Sequence, residues 1–204
     1  MTNLYTLRDL SEEAVRALIG TLNDFQQSGK EGSERGRILS TRTRLGSVDA
    51  VERQREGCYL RLVSIAEAYT DALSSILFEP LILDGRKVVQ SLVSEAQINV
   101  SKSWRDRIEG FRTHHQIDLT KCPVWSQIRG AIEVRNAIAH GLGGLTPKQL
   151  GAPGIRGKFL SIQVAVLEGR VVLTDKNVQC VTKWSIDYVG YLDSESQRDS
   201  HRSA

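Results

Sequence analysis

Residues 123–141, from Pro123 to Gly141, gather the side chains of this chain best suited to chemistry. Pro123 suits the first turn of a helix, and the run Gly141, Leu142, Gly143, Gly144 suits its end. On a wheel of 100° per residue, Val124, Ile132 and Ala139 fall within about 40° of Ile128. Arg135 falls at about −20°, in the middle of that apolar stripe. Stripping water from an unpaired guanidinium costs several kcal/mol, so an arginine in that place needs a reason. Asn136 and His140 stand one turn apart, about 40° from each other on the flank of the stripe, and can point into one groove. The five-residue step from Arg135 to His140 is about 7.5 Å along the axis. A cation, an amide and an imidazole in one groove are the types from which phosphate binding and proton transfer are built. The same residues also fit a plain helix end, because cations in the last turn complement the dipole and Gly141 suits a C-terminal cap.

The string Arg135, Asn136, Ala137, Ile138, Ala139, His140 resembles the signature of HEPN domains, an Arg-Asn pair followed by three residues and a histidine. The resemblance extends to a long helix carrying Glu67 and Tyr69, to the stretch from Trp104 to Phe111, and to Trp125 three turns before the Arg-Asn pair. It covers roughly residues 47–144, with the final helix less closely matched. The family is all-helical, and many members are ribonucleases of prokaryotic toxin, defence and RNA-processing systems. The resemblance therefore implies a mostly α fold, a HEPN-like antiparallel helical bundle, and a metal-independent endoribonuclease serving as a toxin or antiviral defence effector.

RNA carries its own nucleophile, the 2′-hydroxyl, so cleavage needs a proton acceptor, a proton donor and positive charge for the phosphorane, without a metal or other cofactor. One His and one Arg per chain are few for that task, and the family is described as building its site across a two-fold homodimer, which doubles the set. His140 is then the acid or base, Arg135 the phosphate clamp and Asn136 an orienting hydrogen-bonder, and Glu67 is a candidate for the acid that balances Arg135. The implied partners are RNA, a second copy of the chain and a restraining antitoxin or defence protein. Some toxin members carry a tyrosine two residues after the histidine; here that place is Leu142, so chemistry or modification that relies on the tyrosine is not expected. The alternative is a HEPN-like module that binds RNA or a partner protein without cleaving. A third reading is a helical scaffold in which Arg135 pairs internally.

Other candidates carry less. His114, His115 and Cys122 lack zinc-ligand spacing and a fourth ligand, so no metal site is expected. Arg35, Arg37, Arg42 and Arg44 fall in a stretch without an acid and could follow RNA phosphates, or could be a solvated linker. Trp104, Trp125 and Trp184 could stack on bases, but the first two fall on amphipathic helices and fit a core. Neither a Walker-type phosphate loop nor a nucleophile elbow is present in the sequence.

The elements that must position these residues can be read from composition and periodicity. The chain has 204 residues, 40% hydrophobic and 25% charged, enough for one ordinary core. A net charge of +3 permits an anionic partner and argues against a polyelectrolyte-coating protein. No apolar run approaches the 20 or so residues of a membrane span. The N-terminal residues lack a signal-peptide pattern, and three distant cysteines fit a reducing compartment, so a cytoplasmic protein is expected.

The domain reading is an N-terminal helix and basic linker over 1–46, a helical domain over 47–193 with a β-hairpin near 158–174, and a flexible tail over 194–204. In detail, spacing predicts a helix over 11–27 with Ser11 as its cap, a linker over 28–46, and a long helix from Ser47 that Pro80 closes. Helices follow near 86–97 and 101–115, then a loop over 116–121 and the helix of the motif. The β-branched runs 159–167 and 170–174 read as strands joined by a tight turn at Glu168 and Gly169. Residues 178–192 are read as a helix, and 194–204 as a frayed tail.

Overall fold

The computed structural model describes residues 7–32, 42–43, 46–47, 49–84 and 86–200, with 29–32, 42–43, 46–47, 84 and 199–200 described by backbone alone. The fold is mostly α with a small antiparallel hairpin late in the chain. The order is α1 (Leu7–Gly32), β1 (Arg42–Thr43), β2 (Gly46–Ser47), α2 (Ala50–Asp84), α3 (Lys87–Val100), α4 (Trp104–His114), a 3-10 turn (Leu119–Lys121) and α5 (Trp125–Gly141). Then come α6 (Pro147–Leu150), α7 (Ile155–Ser161), β3 (Ala165–Leu167), β4 (Arg170–Val172) and α8 (Asp175–Ser200). Among the described residues, no helix is long and apolar enough to cross a membrane.

The described residues within 1–15, 66–125 and 187–204 form one compact unit, and those within 16–65 and 126–186 form another. In the first, Leu73, Phe111, Ile117, Leu119, Tyr188 and Leu192 have no more than 2% of their surface exposed. Several of the buried polar groups there are paired: Thr70 Oγ1 with Tyr188 Oη at 3.1 Å, Ser74 Oγ with His115 Nε2 at 3.0 Å, and Arg107 with both oxygens of Asp71 at 2.8 and 2.7 Å. Trp104 Nε1 donates to Glu67 Oε1 at 2.7 Å. Helices α3 and α4 approach so closely that a Cβ on Gly110 would lie 2.2 Å from Val100 Cγ2. In the second unit the buried set includes Tyr59, Leu62, Val134, Phe159, Val171 and Val181. Helix α7 lies against α5 where Gly130 leaves no room, since a Cβ there would meet Ile162 Cγ2 at 2.7 Å.

Several boundaries differ from expectation, each for a local reason. Ser11 is not a cap: α1 starts four residues earlier, and the Ser11 hydroxyl donates to the Arg8 carbonyl at 2.9 Å inside the helix. The helix also runs on through Gly32, into the stretch read as linker. The long helix starts at Ala50 and not at Ser47, and is capped by Asp49, whose Oδ1 accepts from Val51 N at 2.9 Å. Pro80 does not close it; the helix runs through an exposed proline to Asp84, and Gln90 Nε2 satisfies the late carbonyl of Ile82 at 2.9 Å.

The hairpin turn falls where expected, with Glu168 at φ 50° and Gly169 at φ 75°, but its strands are three residues each. Residues 159–161 belong instead to α7, because Ile155, Phe159 and Ile162 recur at helical spacing and all three are buried. The tail reading is corrected over 194–200, where α8 continues and Ser196 is fully buried. Helix α8 itself is set by Thr174 and Asn177, which exchange side-chain to backbone hydrogen bonds at 2.9 and 3.3 Å at its start.

Candidate active site

Helix α5 bears the Arg-Asn and His residues in its last two turns. Its buried face turns along its length. In the first half Ile128, Ala131 and Ile132 are buried; in the second half Val134, Ala137 and Ile138 take over, about 100° further round. The wheel averaged these two faces and so put Arg135 in mid-stripe; Arg135 is in fact half-buried on the flank. Ala139, counted on the stripe, is exposed. Arg135, Asn136, Ala139 and His140 thus share the open side of the helix end. Arg135 Nη1 donates to Asn136 Oδ1 at 3.2 Å, which orients the amide. His140 is exposed one turn beyond Asn136, and its side chain makes no hydrogen bond among the described residues.

The same flank holds a carboxylate that periodicity did not single out. Glu133 lies one turn before Asn136 and ties two short helices to α5. Gln149 Nε2 of α6 donates to its backbone carbonyl at 2.8 Å and to Oε2 at 3.1 Å, and Lys158 Nζ of α7 donates to Oε1 at 2.6 Å. Burial pushes the Glu133 carboxyl up, but the bonds from Lys158 and Gln149 and the charges of Lys158 and Arg129 outweigh it and hold it below the ordinary carboxylate range. It is therefore an ionised anchor. Gln149 can serve because α6 opens with a capping box, Thr146 Oγ1 accepting from Gln149 N and Gln149 Oε1 accepting from Thr146 N. That signal, Thr-Pro-Lys-Gln over 146–149, stands in the sequence.

The helix end is not built on Gly141, which is the last helical residue. The left-handed residue is Leu142 at φ 50°, followed by Gly143 at φ 86°, whose N–H donates to Ala137 O at 3.1 Å. This bond closes seven residues, one more than the six of a Schellman end, with leucine in the left-handed place that glycine prefers. Of the other named residues, Arg35, Arg37 and Arg44 lie outside the described residues, and of Arg42 only the backbone in β1 is described. Glu67 accepts from Trp104. Trp125 is buried, with its ring centroid 5.9 Å from that of Trp104, and Trp104 is half-buried, so both pack as expected of core residues. His115 and Cys122 are buried while His114 is exposed, and among the described residues no cluster of three or more His, Cys, Asp or Glu side chains could hold a metal ion.

What this arrangement offers is a guanidinium, an oriented amide and an accessible imidazole on one open helix face. Compared with protein-family models, with curated proteins and with solved structures, the chain matches none.

Proposed function

We propose that the chain is a HEPN-type endoribonuclease that cleaves RNA by 2′-hydroxyl attack and works as a homodimer. The observation that carries this reading is the open face of α5, where Arg135 orients Asn136 at 3.2 Å and His140 stands exposed one turn on. The 2′-oxygen attacks phosphorus and loses its proton to a base; the 5′-oxygen leaves and takes a proton from an acid. The products are a 2′,3′-cyclic phosphate and a 5′-hydroxyl. His140 serves as acid or base, Arg135 binds the phosphate, and Asn136 orients it. A second copy related by a two-fold axis supplies the second imidazole, and a half-buried Arg135 on a helix flank suits an interface better than a sealed core. The arginines at 35, 37, 42 and 44 add salt-dependent phosphate contacts. A toxin or antiviral effector role, restrained by an antitoxin or defence partner in the cytoplasm, follows from the resemblance. End-group analysis of the products tests the mechanism: 2′,3′-cyclic phosphate is expected, and a free 3′-hydroxyl would contradict it.

One observation favours a second reading, a binding module. Helix α3 exposes Val88 by 71%, Leu92 by 61% and Ile98 by 63%, and a groove of about 480 Å³ runs between α3 and α4. Such exposed apolar side chains mark interaction surfaces. A partner bound equally well by the native chain and by His140→Ala, with RNA left intact, would select this reading.

A further inference from the structure

We propose that Arg170 is a positioning residue, which clamps the loop that ends α5 and so fixes His140 at the helix terminus. The consequence for RNA cleavage rests on the ribonuclease reading; the clamp itself rests on geometry alone. The chain leaves α5 through Leu142 in the left-handed region, which a leucine enters against its own Cβ. The bond from Gly143 N–H to Ala137 O holds it from the helix side, and contacts from the hairpin add to it. Three hydrogen bonds join this loop to the hairpin: Arg170 Nη2 to Leu142 O at 2.6 Å, Val171 N to Gly143 O at 2.9 Å, and Leu145 N to Gly169 O at 2.8 Å. The first is charge-assisted and lands on the carbonyl of the strained residue.

The hairpin is suited to act as the fixed party. Both residues of its turn have positive φ, the two-residue type that matches strand twist, and Val171 and Leu173 are buried at 2% and 3% exposure. The fit on the loop side is close, because a Cβ at Gly143 would meet Glu56 Oε1 at 2.8 Å and Arg170 Nη2 at 3.1 Å. His140, two residues before Leu142, makes no side-chain hydrogen bond among the described residues, so its place is set by the backbone of the last turn. If that turn frays, the imidazole leaves the stripe it shares with Asn136.

The test compares amide hydrogen exchange of the full chain with that of Arg170→Ala, Arg170→Lys and the double variant Arg170→Ala, Leu142→Gly. The amides of Gly143 and Val171 are expected to exchange about tenfold faster in Arg170→Ala. Leu142→Gly should restore their protection, because glycine takes a positive φ without steric cost, and Arg170→Lys should restore part of it. Unchanged exchange in Arg170→Ala would overturn the proposal. On RNA, Arg170→Ala should lower kcat with KM unchanged, and Leu142→Gly should bring kcat back. A rise in KM that Leu142→Gly does not rescue would make Arg170 a phosphate contact and overturn the positioning role. If the native chain leaves RNA uncut, the ribonuclease reading fails, and the exchange result alone decides the clamp.

Discussion

Two histidines and two arginines of this chain stand in contrasting surroundings. In the unit that holds α4, His115 is buried between Phe78 and Phe111 with its Nε2 on Ser74, and Arg107 is held by both oxygens of Asp71. Burial pushes the Arg107 guanidinium down, and the bonds and charge of Asp71 outweigh it, so the proton is held more tightly than usual. At the end of α5, His140 is exposed and Arg135 is half-buried beside Asn136. The closed set is paired and has no access; the open set has access and an imidazole with no bond of its own among the described residues. The lesson is that residue type alone does not mark a site. The sequence carries His114 and His115 as visibly as His140, and only the surroundings separate a packing histidine from one able to meet a ligand.

That contrast can be broken at several points, and the largest effect belongs to the open set. His140→Ala should lower RNA cleavage by about 10²- to 10⁴-fold, the range of a lost general acid or base, while leaving the melting temperature within about 1 °C. In the closed set the cost should be to stability. Arg107→Ala should destabilise by about 3 kcal/mol in denaturant titration, the lower end for a broken buried pair because Asp71 is 35% exposed.

The buried His115 should also make stability depend on pH. Burial, with a smaller effect from the charge of His114, pushes His115 down to about 4 from an ordinary 6.5. The unfolded chain therefore binds a proton before the folded one does. Stability should be unaffected by this group above about pH 6.5 and fall as pH drops from there towards 4, by on the order of 3 kcal/mol. Urea titrations of the native chain and His115→Gln at pH 7 and pH 5 check this; a native chain as insensitive to pH as the variant would refute it.

The helix end offers two smaller effects. Gly143→Ala meets both a positive φ and a tight Cβ position, and should cost about 1–2 kcal/mol, or several degrees of melting temperature. Leu142→Gly alone relieves the left-handed leucine and should raise the melting temperature by about 1–2 °C. A loss of stability from Leu142→Gly would show that the leucine side chain holds more than its backbone costs.

Much of the scaffold was legible because its signals are local. Pro123, the glycines at 141, 143 and 144, and the Glu168–Gly169 turn placed α5 and the hairpin's turn to within a few residues, though not the start of its first strand. Helix α8 was harder, because Thr182, Ser185 and Ser196 fill buried positions of its stripe and hide it from a count of apolar residues. At the candidate site the Arg-Asn and His spacing was readable, but the depth of each residue was not, since the buried face of α5 turns between its halves. The grip of Glu133 on Gln149 and Lys158 spans 16 and 25 residues, and that of Arg170 on Leu142 spans 28. Neither follows from periodicity, which reports only on one element at a time.

The most direct test of the central claim is cleavage of a mixed RNA pool in EDTA by the native chain, run beside His140→Ala and beside 2′-O-methylated RNA. The account predicts that only the native chain cuts and only unmodified RNA is cut. Cutting by His140→Ala, cutting of the methylated RNA, or intact RNA in the presence of a folded dimer would contradict it.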